Sequence, residues 1–265
     1  MRLVSIASGS SGNAIYAGSE ETHILIDAGI SVKKTEQGLE TIGIKGSDLN
    51  AVVLTHEHSD HVKGLGVLAR KYGLPVYATE GTLSALKKIP DLSGIPEELF
   101  RIVKAEREFS VGDITLKPFA VDHDAAEPVA YRISSGGKHI AVATDMGHYT
   151  EDTVRNLQGL DALLVESNHD IRMLETGPYP YYLKRRILSD QGHLSNDDAG
   201  KLICRILHDN LKAIILGHLS KENNFPDLAY ETVRCEISTD VCPYKPDDFF
   251  IEVASRDHVS AVVEI

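Results

Sequence analysis

The segment Thr55-His56-Glu57-His58-Ser59-Asp60-His61 places three imidazoles and a carboxylate in a register suited to holding metal. His56 and His58 are two residues apart, so on extended backbone both rings project to one side. Asp60 and His61 follow at the turn into a helix, where the chain swings back towards the sheet edge. Four ligand-type side chains therefore converge without long-range help. Imidazole suits Zn, Mn or Fe, and the carboxylate adds a hard ligand or a base. In a chain of this composition, His-x-His-x-Asp-His arises by chance in roughly two sequences per thousand. A His-rich solvated loop is thus the weaker explanation. Further candidates stand at the ends of apolar runs: His123 after Phe119-Ala120-Val121-Asp122, Asp145 after Ile140-Ala141-Val142-Ala143-Thr144, and His218 after Ile214-Ile215-Leu216-Gly217. Strand ends are where a rigid scaffold meets solvent and functional groups collect.

Positioning these groups requires strands. Leu3–Ala7, Ala14–Ala17, Thr22–Asp27 and Ala51–Leu54 read as a first set, with the Ser8–Asn13 loop and the Gly18 turn between them. Val62, Leu65, Ala69 and Tyr72 fall at helical spacing until Gly73 and Pro75 end the run. A second set follows at 109–111, 114–121, 129–133 and 139–143, then a helix over Glu151–Leu157 and a buried strand over Ala162–Val165. The stretch from Ser195 to His208 is helical: Ser195 can cap, Asp197 and Asp198 suit the first turn, and Ala199, Leu202, Ile203, Ile206 and Leu207 form one apolar face. A strand over Ala213–Leu216 and a last helix from Pro226 complete the pattern. Strands, helix and strands repeated twice predict an α/β chain, two sheets packed face to face with helices outside, as a single domain over 1–265.

Composition bounds the function. The chain has 265 residues, 42% hydrophobic and 25% charged, with no apolar run long enough to span a bilayer. No secretory h-region precedes a cleavage site near Met1, so no export and no membrane partner are expected. Cys204, Cys235 and Cys242 lack metal-binding or redox spacing and fit a structural role in a reducing cytoplasm. With 27 Lys+Arg against 39 Asp+Glu, bulk charge does not attract a polyanion. A local basic patch and bound cations can still reverse the potential where it matters.

The order His56-x-His58-x-Asp60-His61, an isolated His, an Asp after an apolar strand and a late Gly-His resembles the metallo-β-lactamase superfamily over residues 1 to about 220. The phosphodiesterase branch, which includes ribonucleases Z and J, has the same order. The Ser8–Asn13 loop, Glu166-Ser167-Asn168-His169-Asp170, Gly192-His193-Leu194-Ser195-Asn196 and Gly217–Asn224 resemble the YycJ/WalJ (VicX) group of small cytoplasmic 5′→3′ DNA exonucleases. The resemblance implies a four-layered αββα sandwich and two divalent ions (Zn, Mn or Fe). It puts His56, His58 and His123 on one ion, Asp60, His61 and His218 on the other, and Asp145 between them.

Such a pair of ions activates water and clamps a phosphodiester. Asp60 then orients the nucleophile, and His193, with His169 as second candidate, protonates the leaving 3′ oxygen. Ser10, Ser11 and Asn13 could cradle a phosphate. Tyr179–Arg186, with Lys184, Arg185 and Arg186, mixes aromatics and cations as single-strand binding does. The long inserted domain of ribonuclease J and the Gly/Pro-rich arm of ribonuclease Z are not evident. The expected activity is therefore phosphodiester hydrolysis at nucleic-acid ends, DNA first. An RNA-processing nuclease, a thioester or lactone hydrolase similar to glyoxalase II, and a metal-stabilised accessory protein are the alternatives.

Overall fold

The computed structural model describes residues 1–92 and 94–265. The first sheet is built from β1 (Arg2–Ala7), β2 (Ala14–Gly18), β3 (His23–Ile26), β4 (Ala51–Val53), β5 (Val76–Thr79) and β6 (Phe100–Val103). The second contains β7 (Phe109–Val111), β8 (Ile114–Ala120), β9 (Val129–Ser135), β10 (Lys138–Ala143), β11 (Ala162–Glu166), β12 (Ala213–Gly217) and β13 (Phe250–Val253). Finally β14 (Val263–Glu264) returns to pair antiparallel with β1. The strand orders are β14-β1-β2-β3-β4-β5-β6 and β7-β8-β9-β10-β11-β12-β13.

Period-two alternation feeds two cores at once. Ile140 and Val142 of β10 face the other sheet with Leu3, Ile24, Tyr131 and Ile215, while Ala141 and Ala143 face the helices. A strand buried on both faces reads as a continuous apolar run, as Ala51–Val53 does. Each Leu, Ile or Val buried in the inter-sheet layer contributes about 1.5–3 kcal/mol.

Outside the first sheet lie α1 (Val32–Thr41), α2 (Ser59–Val62), α3 (Leu65–Tyr72) and α4 (Glu80–Leu86). The second half adds α5 (Glu151–Leu157), α6 (Ile171–Thr176), α7 (Tyr181–Ile187), α8 (Asn196–Ile206) and α9 (Pro226–Ile237). The result is the expected helix–sheet–sheet–helix layering. Ser195 caps α8 by accepting the Asp198 amide at 3.1 Å, and the predicted apolar face is buried.

The helix expected over 62–72 is two helices, α2 and α3, parted at Lys63-Gly64. Gly64 passes so close to Ile30 that a Cβ there would lie 2.0 Å from its carbonyl oxygen. Of the elements not anticipated from the sequence, β6 buries only Val103 and α7 only Ile187, whereas β5 buries Val76, Ala78 and Thr79 and α4 buries Thr82, Leu83 and Leu86. Cys204 and Cys242, 38 residues apart, form a disulfide, which their spacing did not announce, while Cys235 is free and exposed. Their structural role is therefore a cross-link between α8 and the loop after α9. No helix among the described residues is long and apolar enough to cross a membrane.

Candidate metal centre

All the expected ligand residues stand just beyond strand ends at one rim of the two sheets. His56 and His58 follow β4, and Asp60 and His61 open α2. His123 follows β8, Asp145 follows β10, and His218 directly follows β12. Two of them carry left-handed backbone, Asp145 at φ 58° and His218 at φ 55°, as does Asp27 after β3 at φ 60°. Such conformations cost on the order of 1 kcal/mol or more in residues other than glycine and collect at functional sites. Gly29 makes a further close approach: a Cβ there would sit 1.7 Å from the Asp60 carbonyl oxygen.

The side chains form four overlapping groups whose ligand atoms lie within 4.8 Å of one another: His56, His58 and His123; Asp60, His61 and His218; His56, His61 and Asp145; and Asp145, Glu166, His193 and His218. Asp145 is shared. Its oxygens lie 3.2 Å from His61 Nε2, 3.5 Å from His218 Nε2 and 3.7 Å from His123 Nε2. Asp60 Oδ2 lies 3.4 Å from His218 Nε2 and 3.6 Å from His61 Nε2.

Outer partners fix which ring nitrogen faces inward. His61 Nδ1 meets Asp27 Oδ2 at 2.7 Å, and His123 Nδ1 meets the Gly192 carbonyl at 2.9 Å. His218 Nδ1 and His193 Nδ1 both meet Glu166 Oε1, at 3.1 and 2.7 Å. Thr55 Oγ1 donates to Asp27 Oδ2 at 2.8 Å and so accepts from His56 Nδ1 at 3.0 Å. In each case the Nδ1–H is consumed outside and the Nε2 lone pair is left for the centre. His58 differs, with its Nδ1 3.3 Å from His123 Nε2. Buried His56 Nε2 and Asp145 Oδ2 form no hydrogen bond with any described residue. Orphaned acceptors at the middle of an imidazole–carboxylate cage are what a cation would satisfy, so the donor set fits divalent metal.

Without metal the cage is charged by protons. Burial opposes charge on His61, but Asp145 and Asp27 overcome it and hold the ring well above its usual range. His218 is likewise pushed up to about 10, by Asp145, Asp60 and Glu166 against burial. The carboxylates move the other way. Despite burial, His218 and His61 hold Asp145 and Asp60 well below the usual range, and His193 and His218 bring Glu166 to about 2. His56, buried and next to His61, is pushed well down.

The residues expected at substrate divide. Ser10, Arg186 and His193 line a cavity of about 230 Å³ beside the centre, with Tyr179 and Asn168. Ser11 is exposed on the outer side of the same loop. Asn13 is wholly buried, with its amide nitrogen 3.1 Å from His61 Nε2 and its oxygen accepting the Gly9 amide at 2.9 Å. It braces the loop and cannot meet a phosphate, which corrects that expectation. His169 is also buried, its carbonyl accepting the Asn196 amide at 2.9 Å; its ring does not line the cavity and has no hydrogen-bond partner among the described residues. A proton donor must reach the leaving oxygen, so His169 is withdrawn from that role. Lys184 donates to the Glu175 carbonyl at 2.7 Å, Arg185 is exposed, and Arg186 is paired with Asp124.

Sequence reading missed Asp27, Glu166 and Asp124. Asp124 Oδ1 lies 3.4 Å from His123 Nε2. The first two end the apolar strands β3 and β11, the same signal that marked Asp145.

Comparison with known proteins agrees with this geometry. The model of the "Beta-lactamase superfamily domain" matches residues 22–215. The chain is 43% identical over 228 residues to the exodeoxyribonuclease YycJ of Bacillus anthracis, covering 86% of each. It is 42% identical to the exodeoxyribonuclease WalJ of Streptococcus pneumoniae, covering 86% of this chain and 85% of that one. In fold it is similar to Zn(2+)-bound PqqB from Methylobacterium extorquens, at TM-score 0.71 and 18% identity over 98% of this chain and all of the other. A mixed-sheet sandwich with a histidine–aspartate rim and this degree of identity leave one assignment: the chain belongs to the metallo-β-lactamase superfamily and, within it, to the family of YycJ and WalJ.

Proposed function

We propose that this chain is a metal-dependent phosphodiesterase that removes nucleotides from DNA ends, in the 5′→3′ direction, in the cytoplasm, with residues 1–265 acting as one domain. The observation that carries the reading is the shared carboxylate of Asp145, ringed by inward Nε2 atoms and with its buried Oδ2 hydrogen-bonded to none of the described residues. Identity to two exodeoxyribonucleases over 86% of the chain supports the substrate class.

His56, His58 and His123 would hold one divalent ion and Asp60, His61 and His218 a second, with Asp145 between them. When bound, such ions lower the pKa of a water and neutralise charge on the phosphodiester. Asp60 is the one partly exposed carboxylate of the cage, with its side chain 22% accessible, and it orients the attacking water. His193 lines the cavity with Nδ1 held by Glu166 at 2.7 Å, which leaves Nε2 to deliver a proton to the leaving 3′ oxygen. Ser10 and Arg186 contact the substrate phosphates. Arg186 is available because its bond to Asp124 is between half-exposed groups, and exposed pairs are worth about 0–1 kcal/mol. Lys184, Arg185 and the exposed Tyr181 and Tyr182 of α7 meet the strand beyond.

The test is digestion of end-labelled single- and double-stranded DNA and RNA, with and without a 5′-phosphate, in Mn²⁺ or Zn²⁺. Shortening of 5′-phosphorylated DNA, abolished by chelator and by His58→Ala, is expected. Activity that survives both treatments overturns the assignment.

A further inference from the structure

The cavity at the metal centre is small, about 230 Å³, yet a nuclease must also hold the strand that it is not cutting. Two larger cavities lie along the same loop and α1. Ser10 lines the metal-centre cavity, and its neighbour Ser11 lines a second cavity of about 490 Å³ together with Lys34 and Lys63. Ile30 and Lys34 line both this second cavity and a third, of about 570 Å³, between α1 and the segment 256–262. The three spaces are therefore stepping stones across one loop and one helix.

Their chemistry suits a polyanion. Lys63, three residues after Asp60, is exposed and has no ion-pair partner among the described residues. The Lys34 side chain is 63% accessible and touches Asp257 at 3.4 Å. An exposed pair of that kind is worth about 0–1 kcal/mol, so a phosphate can take the lysine over. No acceptor among the described residues is found for the Ser10 and Ser11 amides, which remain available to phosphate oxygens.

Arg256 borders the third cavity. Its Nη2 donates to the Leu219 carbonyl at 2.6 Å, one residue from His218, and its side chain packs over Gly9, where a Cβ would come within 3.1 Å. Its buried Nε has no hydrogen-bond partner among the described residues. Between the cations lies an apolar wall that includes Val67, 54% exposed, against which unpaired bases can rest. The charge stands out in a chain of net −12.

We propose that the single-stranded part of the nucleic-acid substrate runs from the metal centre over Ser10 and Ser11, past Lys63 and Lys34, into the groove bordered by Arg256. This rests on the nuclease reading and adds to it the path of the uncut strand. Its phosphates meet the two lysines, and its bases face the Ile30–Val67 wall.

The experiment compares wild type, K34E/K63E and K34R/K63R on two substrates with Mn²⁺: a 5′-phosphorylated 20-nucleotide single strand and bis(p-nitrophenyl) phosphate, too short to reach either lysine. For K34E/K63E, kcat/KM on the 20-mer relative to the small ester should fall at least about tenfold. The change should lie in KM. At about 0.7 per phosphate contact for single strands, the log–log salt dependence of KM should flatten by about 1.4. K34R/K63R should follow wild type on both measures. A ratio and a salt slope at wild-type values in K34E/K63E overturn the path while leaving the nuclease reading intact. Wild-type protein that cleaves neither substrate removes that reading, and the path with it.

Discussion

The two sheets follow one plan and use it differently. Each has three antiparallel pairings followed by three parallel ones. In each, the first strand of the parallel set, β3 or β10, runs into an aspartate with left-handed backbone, Asp27 or Asp145. Two residues later comes a glycine crowded by another segment's carbonyl: Asp60 O would lie 1.7 Å from a Cβ at Gly29, and Asp190 O 2.1 Å from one at Gly147. The same device thus places a carboxylate at the rim of both sheets. Asp27 accepts from the Thr55 amide at 2.9 Å, the Thr55 hydroxyl at 2.8 Å and His61 Nδ1 at 2.7 Å. Asp145 has ring nitrogens on several sides and one oxygen without a hydrogen bond. Backbone geometry delivers the group, and the partners it meets decide whether it braces a ligand or serves as one.

The sharpest way to break this contrast is Asp145→Asn. It should lose bound ion, read by elemental analysis, and lower phosphodiester hydrolysis by roughly a thousandfold or more, several kcal/mol of transition-state stabilisation. His193→Gln asks whether the second sheet also supplies the proton. We expect a fall of about a hundredfold on DNA and little change on a p-nitrophenyl ester, whose leaving group needs no proton; equal losses on both would remove His193 as donor. Asp27→Asn should keep the centre occupied at high metal and weaken metal affinity by about 10–100-fold. If it matches Asp145→Asn, the division of labour is wrong.

Protonation sharpens the comparison further. His61 lies between Asp27 and Asp145, and His218 is raised to about 10, so in metal-free protein at pH 7.5 both rings carry protons. Metal must displace them, so loading releases protons and apparent affinity falls as pH falls. Calorimetry in two buffers of different ionisation enthalpy measures the release; proton uptake would contradict it. His169 shows the opposite case, a buried ring without a hydrogen-bonded carboxylate, pushed down to about 4 by burial. Unfolded protein takes up this proton near pH 6.5 and the folded protein only near 4. Its contribution is therefore complete above pH 6.5 and is lost as pH falls through that interval, up to about 3 kcal/mol. His169→Asn should flatten the decline in urea midpoint between pH 7 and 4.5.

Legibility followed apolar runs. His56–His61, Asp145 and His218 could be read because apolar runs of β4, β10 and β12 end at them, and such runs mark strands from sequence alone. Asp27 and Glu166 end equally apolar strands. Neither was assigned a role, because that role lies in the rings that fold against them. The helix of Lys184–Arg186 was not anticipated because most of α7 faces solvent and imposes no apolar period. Asn13 was misread for the converse reason: Ser/Gly/Asn loops are common at surfaces, and only tertiary contact with His61 reveals that this asparagine points inward.

The rings and acids that meet at the rim are scattered from position 27 to position 218, on both sheets. During synthesis the His56–His61 cluster leaves the ribosome long before β12 exists to bring His218 across. A nascent chain therefore presents only a partial cage, which stays incomplete until β12 has brought His218 to the rim.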